Sequence, residues 1–170
     1  MGELLIVDGY NIINDWSELK DIVRTNLEDA RVKLLEKLQD YQGYKGIRVI
    51  VVFDAHMVKN SIRKFDELGD LEIVFTKENE TADQYIERMV DTFKGQEVIR
   101  VATSDRVEQT IIFGRGAVRM SARELKIEVD RAEKERNQKY IHQPTSKHHN
   151  VENRLHSDLL AKLEALRREK

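Results

Sequence analysis

Residues 47–54 read IRVIVVFD, a nearly unbroken apolar and β-branched run. A strand with one wet face alternates apolar and polar residues, so a run of this kind belongs to a strand covered on both faces, in the middle of a mainly parallel sheet. Its uninterrupted part, Val49 to Phe53, is far shorter than the roughly 20 residues that cross a bilayer. Around it, strand-like and helix-like segments alternate, the pattern of an α/β domain. Further strands are expected at Glu3–Asp8, Leu71–Thr76, Glu97–Ala102 and Ala117–Met120. Leu27, Ala30, Leu34, Leu38 and Tyr41 recur at helical spacing behind Thr25 and Glu28, which form a capping-box pattern. Thr81 and Gln84 open a second helix running to about Phe93, and Ser121 and Glu124 a third, increasingly charged toward Arg136. Right-handed crossovers with one reversal give a doubly wound sheet of order 3-2-1-4-5, numbering the five strands along the chain.

The 170 residues suffice for one domain with a sizeable core. With 29 Lys plus Arg against 31 Asp plus Glu, a net charge of −2 argues against a protein that coats nucleic acid by bulk electrostatics. There is no Cys, which excludes disulfides and thiolate metal sites, so any metal is held by oxygen or imidazole. The start, MGELLIVDGYN, has no basic segment of the signal-peptide kind, and a cytoplasmic protein is expected. We divide the chain into a core over 1–136, a basic mobile loop over 137–150 and a C-terminal amphipathic helix over 151–170 that docks on the core. From Arg136 to Val151 no residue is acidic, and the stretch holds the one proline, Pro144; Val151, Leu155, Leu159, Leu163 and Leu166 then mark the helix.

Aspartates carry the chemistry. Asp8 ends the first strand in VDGYN, Asp54 ends the second in VVFDA, and Asp105 follows the fourth in RVATSD. Ligands of open parallel sheets bind outside the carboxyl ends of the strands, at the switch point that this order places between the first and fourth. Asp83, in the first turn of the helix leading into the fourth strand, opens on the same rim. Each alone is an ordinary turn or cap residue; together they converge. Two carboxylates about 4 Å apart repel by roughly 4 kcal/mol at an effective dielectric near 20, so a cation or a shared proton must answer them. Hard oxygen donors favour Mg²⁺ or Mn²⁺, which also engage phosphate oxygens, and the arrangement suits metal-assisted phosphodiester hydrolysis.

VDGYN at 7–11, ENETADQYIE at 78–87 and VATSDRVEQ at 101–109, in this order and spacing, resemble the NYN-domain nucleases of the wider PIN-like ribonuclease group, and within it the bacterial YacP-like branch. The likeness extends over VVFDA and GAVRMSARELKIEV to nearly the whole chain. It implies a PIN-like α/β fold and a divalent-metal-dependent endoribonuclease whose acidic ligands fall on Asp8, Asp83 and Asp105. It further implies cleavage of mRNA in association with the ribosome.

Supporting roles are expected for Asn11, which could orient Asp8 or a phosphate oxygen, for Asp54 beside Asp8, and for Thr103 and Ser104 at a helix start able to receive an anion. Glu80 is a weaker ligand candidate in a loop before Asp83. RNA contacts are expected from Arg106, Arg115, Arg119 and Arg123, from the cluster Lys59, Arg63 and Lys64, and from Tyr10 as a stacking ring. Trp16 is expected to pack in the first loop. Attack by the RNA 2′-hydroxyl would need a base such as His56. A receiver-like signalling domain with Asp54 as phospho-acceptor would need an acidic pair after the first strand and a Lys after the fifth, where GYN and Ser121 stand instead. The remaining alternative is a non-catalytic RNA- or ribosome-binding module on a nuclease-like fold.

Overall fold

The computed structural model describes residues 2–55 and 64–140, together with residues 159, 161–163 and 166. Strand β1 (Gly2–Asp8) leads into two short helices, α1 (Gly9–Asp15) and α2 (Ser17–Val23), and the long α3 (Leu27–Lys45). Next come β2 (Arg48–Phe53), β3 (Lys64–Leu68), β4 (Leu71–Phe75), α4 (Ala82–Phe93), β5 (Glu97–Ala102), α5 (Arg106–Gly114), β6 (Val118–Met120) and α6 (Ala122–Tyr140). The sheet order is β3-β4-β2-β1-β5-β6. The five parallel strands therefore stand in the expected 3-2-1-4-5 arrangement. The addition is β3, an edge strand antiparallel to β4.

Strand parity divides the core. Leu5, Val7, Val51 and Phe53 face the layer of α1, α2, α3 and α6, and Leu159 and Leu163 are buried in that cluster. Leu4, Ile6, Ile50, Val52, Ile99 and Val101 face α4 and α5 through Ile86, Met89, Val90 and Ile112. Successive side chains alternate between faces, so the residues after these even and odd rows inherit their side. Asp8 and Asp54 extend the rows Leu4–Ile6 and Ile50–Val52, and Thr103 extends Ile99–Val101. All three point toward α4 and α5.

Caps explain the helix bounds. Asn26, rather than Thr25, caps α3, its side chain accepting from the N–H groups of Glu28 at 2.9 Å and Asp29 at 3.4 Å; Thr25 instead donates to the Ile22 carbonyl. Asn thus displaces the expected Thr–Glu box, being at least as good a cap. The Thr81–Gln84 box is complete, each side chain receiving the other residue's backbone N–H at 3.1 Å. At α6, Ser121 Oγ accepts from the Glu124 N–H. α3 ends at Gly46, whose left-handed φ of 65° suits glycine. The segment after β1 is helical, not a loop, and Trp16 between α1 and α2 is 2% exposed with Nε1 donating to the Ala122 carbonyl at 2.8 Å.

α6 continues to Tyr140, so residues 137–140, expected in the basic loop, are helical. Residues 141–150, with most of the C-terminal segment, His56, Lys59 and Arg63, lie outside the described residues.

Gly9 makes the β1–α1 turn possible. A Cβ there would lie 2.4 Å from the Phe53 ring, which is fully buried between Tyr10 and Phe75 at centroid distances of 5.1 and 5.3 Å. Gly9→Ala is expected to destabilise the fold by about 1–3 kcal/mol, as overpacking does, measured by denaturant unfolding; a stability equal to wild type would contradict the close approach.

Candidate active site

Asp8, Asp83 and Glu108 form the centre of the site, with one carboxylate oxygen from each lying within 4.8 Å of the others. Asp8 arrives from the end of β1, level with Val52 of β2, while Val7 stands beside Ala102 of β5. Asp83 stands in the first turn of α4, whose start is held by Asp54: Asp54 Oδ2 accepts from the Ala82 N–H at 3.2 Å. Glu108 stands in the first turn of α5. Asp8 and Glu108 are buried and Asp83 is half-exposed, so solvent reaches the group by way of Asp83.

Glu108 is not among the residues expected from the sequence, and Asp105 stands where a cap is needed. Asp105 Oδ1 accepts from the N–H groups of Val107 at 2.9 Å and Glu108 at 3.4 Å, closing the first turn of α5. Those N–H groups are therefore not open to an anion, as the expectation for Thr103 and Ser104 supposed. Thr103 serves Glu108 instead, its hydroxyl donating to Glu108 Oε2 at 2.9 Å while accepting from the Asp105 N–H at 3.2 Å. Gln109 Nε2 in turn donates to the Thr103 carbonyl at 2.6 Å. Glu108 is 1% exposed, and its second oxygen, Oε1, has no hydrogen-bond partner. The signal that could have found it is the spacing D-x-x-E: a Glu three residues into a helix whose cap is already supplied, next to a buried strand end.

The Asn11 side chain is half-buried and engages Ser104. Its Oδ1 accepts from the Ser104 N–H at 2.5 Å and from the Ser104 hydroxyl, a clasp between α1 and the β5–α5 turn. Glu80 is 3% exposed and ion-paired with Arg88 of α4, and is not among the clustered carboxylates. Tyr10 is half-buried, packed on Phe53 and beneath the Arg31 guanidinium at 5.2 Å, which fits a core residue better than an open stacking ring. Arg115 is drawn to α4, where it pairs with Asp91 and, at 3.5 Å, with Glu87. Arg106, Arg119 and Arg123 are exposed, and no ion pair between described residues engages them.

Crowding of like charges shows in the proton affinities. Burial, then the Asp83 carboxylate, push the Asp8 carboxyl up from 3.8 to about 7, with the Glu108 side chain and the Asn11 backbone N–H pulling the other way. Burial, then Asp8, push Glu108 up from 4.5 to about 10. The group therefore retains protons near neutrality that three isolated carboxylates would have lost. A divalent cation fits it on the chemistry of the donor set: every donor is a hard oxygen, and the three oxygens lie close enough to share one ion in place of the retained protons.

Comparison with known proteins gives concordant results. The model of the YacP-like NYN domain matches residues 5–168. The uncharacterized protein YacP of Bacillus subtilis is 50% identical over 133 residues, 78% of each chain. Among solved structures, Rae1 (YacP) from Bacillus subtilis superimposes with a TM-score of 0.71 at 44% identity, covering 98% of this chain and 95% of that one. A Trp-to-Leu variant of the same protein gives 0.71 at 42% identity over 93% and 90% of the two chains. Among the described residues, no helix is long and apolar enough to cross a membrane.

Proposed function

The chain belongs to the YacP-like NYN domain family, which is nuclease-like, and from that premise together with its carboxylate group we propose that it is a divalent-metal-dependent endoribonuclease. The observation that carries this reading is the close group of Asp8, Asp83 and Glu108, with Asp8 and Glu108 buried, and its retained protons. Asp8, Asp83 and Glu108 are the proposed metal ligands, with Mg²⁺ or Mn²⁺ as the ion; Asp105 is reassigned from ligand to helix cap.

A bound ion would supply a water of lowered pKa and would offset charge on the phosphate oxygens. The chain's own residues do the rest. Thr103 holds Glu108 in one orientation, as partners of ligating carboxylates do. Asp54 fixes the start of α4 and so the position of Asp83, and the Asn11–Ser104 clasp fixes the turn before α5 against Asp8. Asp83, the half-exposed member, is the carboxylate that an incoming phosphodiester meets first. Arg106, Arg119 and Arg123 supply phosphate contacts that position the strand without reading its sequence. RNA is the substrate in this reading, mRNA in particular, with the ribosome as the place of encounter and the cytoplasm as the compartment. These finer points rest on the motif resemblance.

The test is incubation of labelled mRNA with the purified chain in Mn²⁺, Mg²⁺ or EDTA, with and without translating ribosomes. Cleavage that requires the metal and leaves a 5′-phosphate is expected. Equal cutting in EDTA would remove the mechanism, and absence of cutting under every condition would favour the non-catalytic binding module.

A further inference from the structure

Helix α5 carries Glu108 on one side and a different surface on the other. Arg106, Gln109, Thr110 and Phe113 follow the i, i+3, i+4, i+7 spacing of a single helical stripe. At 100° per residue this stripe lies on the far side of the helix from Glu108. Arg106, Gln109 and Thr110 form one wall of a groove of about 560 Å³, completed by Arg119 of β6 and by Ser121 and Glu124 at the start of α6. Glu124 is the one acid among these lining residues. Phe113 continues the stripe a turn further on. It is 68% exposed, and the Arg119 guanidinium lies 5.7 Å from its ring centroid.

Two observations mark this surface. Between described residues, no ion pair engages Arg106 or Arg119, the two arginines that line the groove. An aromatic ring left largely in water and already stacked against a guanidinium on one side has its other side open to a second flat partner. Guanidinium groups that phosphates can reach, beside an open ring, are the elements of a single-strand nucleic acid track, in which cations follow the backbone and rings receive bases. The track spans about 10 Å of helix from Arg106 to Phe113 and begins at the turn that holds the carboxylate group.

We propose that this groove binds one flank of a single-stranded RNA, with Arg106 and Arg119 on its phosphates and an unpaired base on the open face of Phe113. The inference deepens the ribonuclease reading, on which it rests, by specifying an unpaired substrate. A duplex keeps its base faces stacked inside and has nothing to offer the ring.

The experiment is fluorescence anisotropy with the full chain in EDTA, where no cleavage occurs, using a labelled single-stranded 12-mer and the blunt duplex it forms with its complement over a range of salt. Phe113→Ala is expected to weaken single-strand binding by about 5- to 100-fold, leaving duplex affinity and salt dependence unchanged. Phe113→Tyr should restore it. Arg106→Gln and Arg119→Gln should each weaken binding and lower the slope of log affinity against log salt by about 1. Thermal melts of all variants should match wild type, since the side chains are exposed. Wild-type single-strand affinity in Phe113→Ala and in both arginine variants would overturn the proposal and leave the surface to a protein partner. Loss of binding in the variants of a chain that never cleaves RNA would keep the groove and remove the enzyme. Cleavage with unaltered binding would do the reverse.

Discussion

Glu108→Gln is expected to reduce metal-dependent RNA cleavage by about 10²- to 10⁴-fold, as loss of a ligand worth several kcal/mol of charge stabilisation requires. Asp83→Asn should match it. Asp105→Ala, by contrast, removes a cap from α5, at a cost of about 0.5–2 kcal/mol in stability, and should leave cleavage within several-fold of wild type at saturating Mn²⁺. The contrast is sharp because the two residues stand three apart on one helix turn and differ only in direction. Asp105 Oδ1 faces the backbone N–H groups of its own helix, whereas Glu108 faces Asp8 and Asp83. Single-turnover cleavage and denaturant unfolding of the same preparations measure both quantities. A folded Asp105→Ala variant as inactive as Glu108→Gln would return the third ligand to the cap. Without metal, Asp83→Asn should be at least as stable as wild type, because it takes away the charge that crowds Asp8.

The second large effect concerns pH and metal together. Asp8 and Glu108 both bind protons more tightly when folded than when unfolded. Below about pH 4 both states are protonated and stability is undiminished. As pH rises from there, the unfolded chain releases protons that the folded chain keeps, and stability falls. The part due to Asp8 is fully lost above about pH 7, and the part due to Glu108 continues to decline toward about 10. Binding of Mn²⁺ or Mg²⁺ expels those protons, so it should raise the melting temperature more at pH 8 than at pH 5.5, and titration calorimetry in buffers of different ionisation enthalpy should record proton release near neutrality. A metal-free chain that grows more stable between pH 5 and 8, or a metal effect independent of pH, would contradict the arrangement of charges.

Much of this was legible in the letters. The run at 47–54 required a central strand, and alternation with helical spacing supplied the parallel order. Two of the three clustered carboxylates followed from strand ends and a complete capping box at Thr81. What escaped detection depended on local geometry that composition does not encode. β3 reads KFDEL, too polar to announce a strand, and is held at the edge by pairing with β4. The choice between Asp105 and Glu108 turned on which residue caps α5: once Asp105 does so, its side chain is committed to the backbone and the Glu one turn on is left to face inward. Glu80 showed the converse, a loop acid weighed as a weaker ligand that is buried and ion-paired with an arginine eight positions away. Arg115, expected as an RNA contact, is instead engaged by the α4 carboxylates Asp91 and Glu87, whose positions one turn apart on that helix a linear reading does not bring next to it.

The single Trp16 of the chain, enclosed between α1 and the first residue of α6, makes the protein its own fluorophore. Its indole reports one joint, where the helix beginning just after the Asp8 strand meets the helix that closes the described core. Excited at 295 nm, it should emit at short wavelength while that joint is closed and shift to the red when water enters. Set beside circular dichroism, this intrinsic colour change can tell whether α6 peels away before the sheet comes apart, with no label attached and no residue replaced.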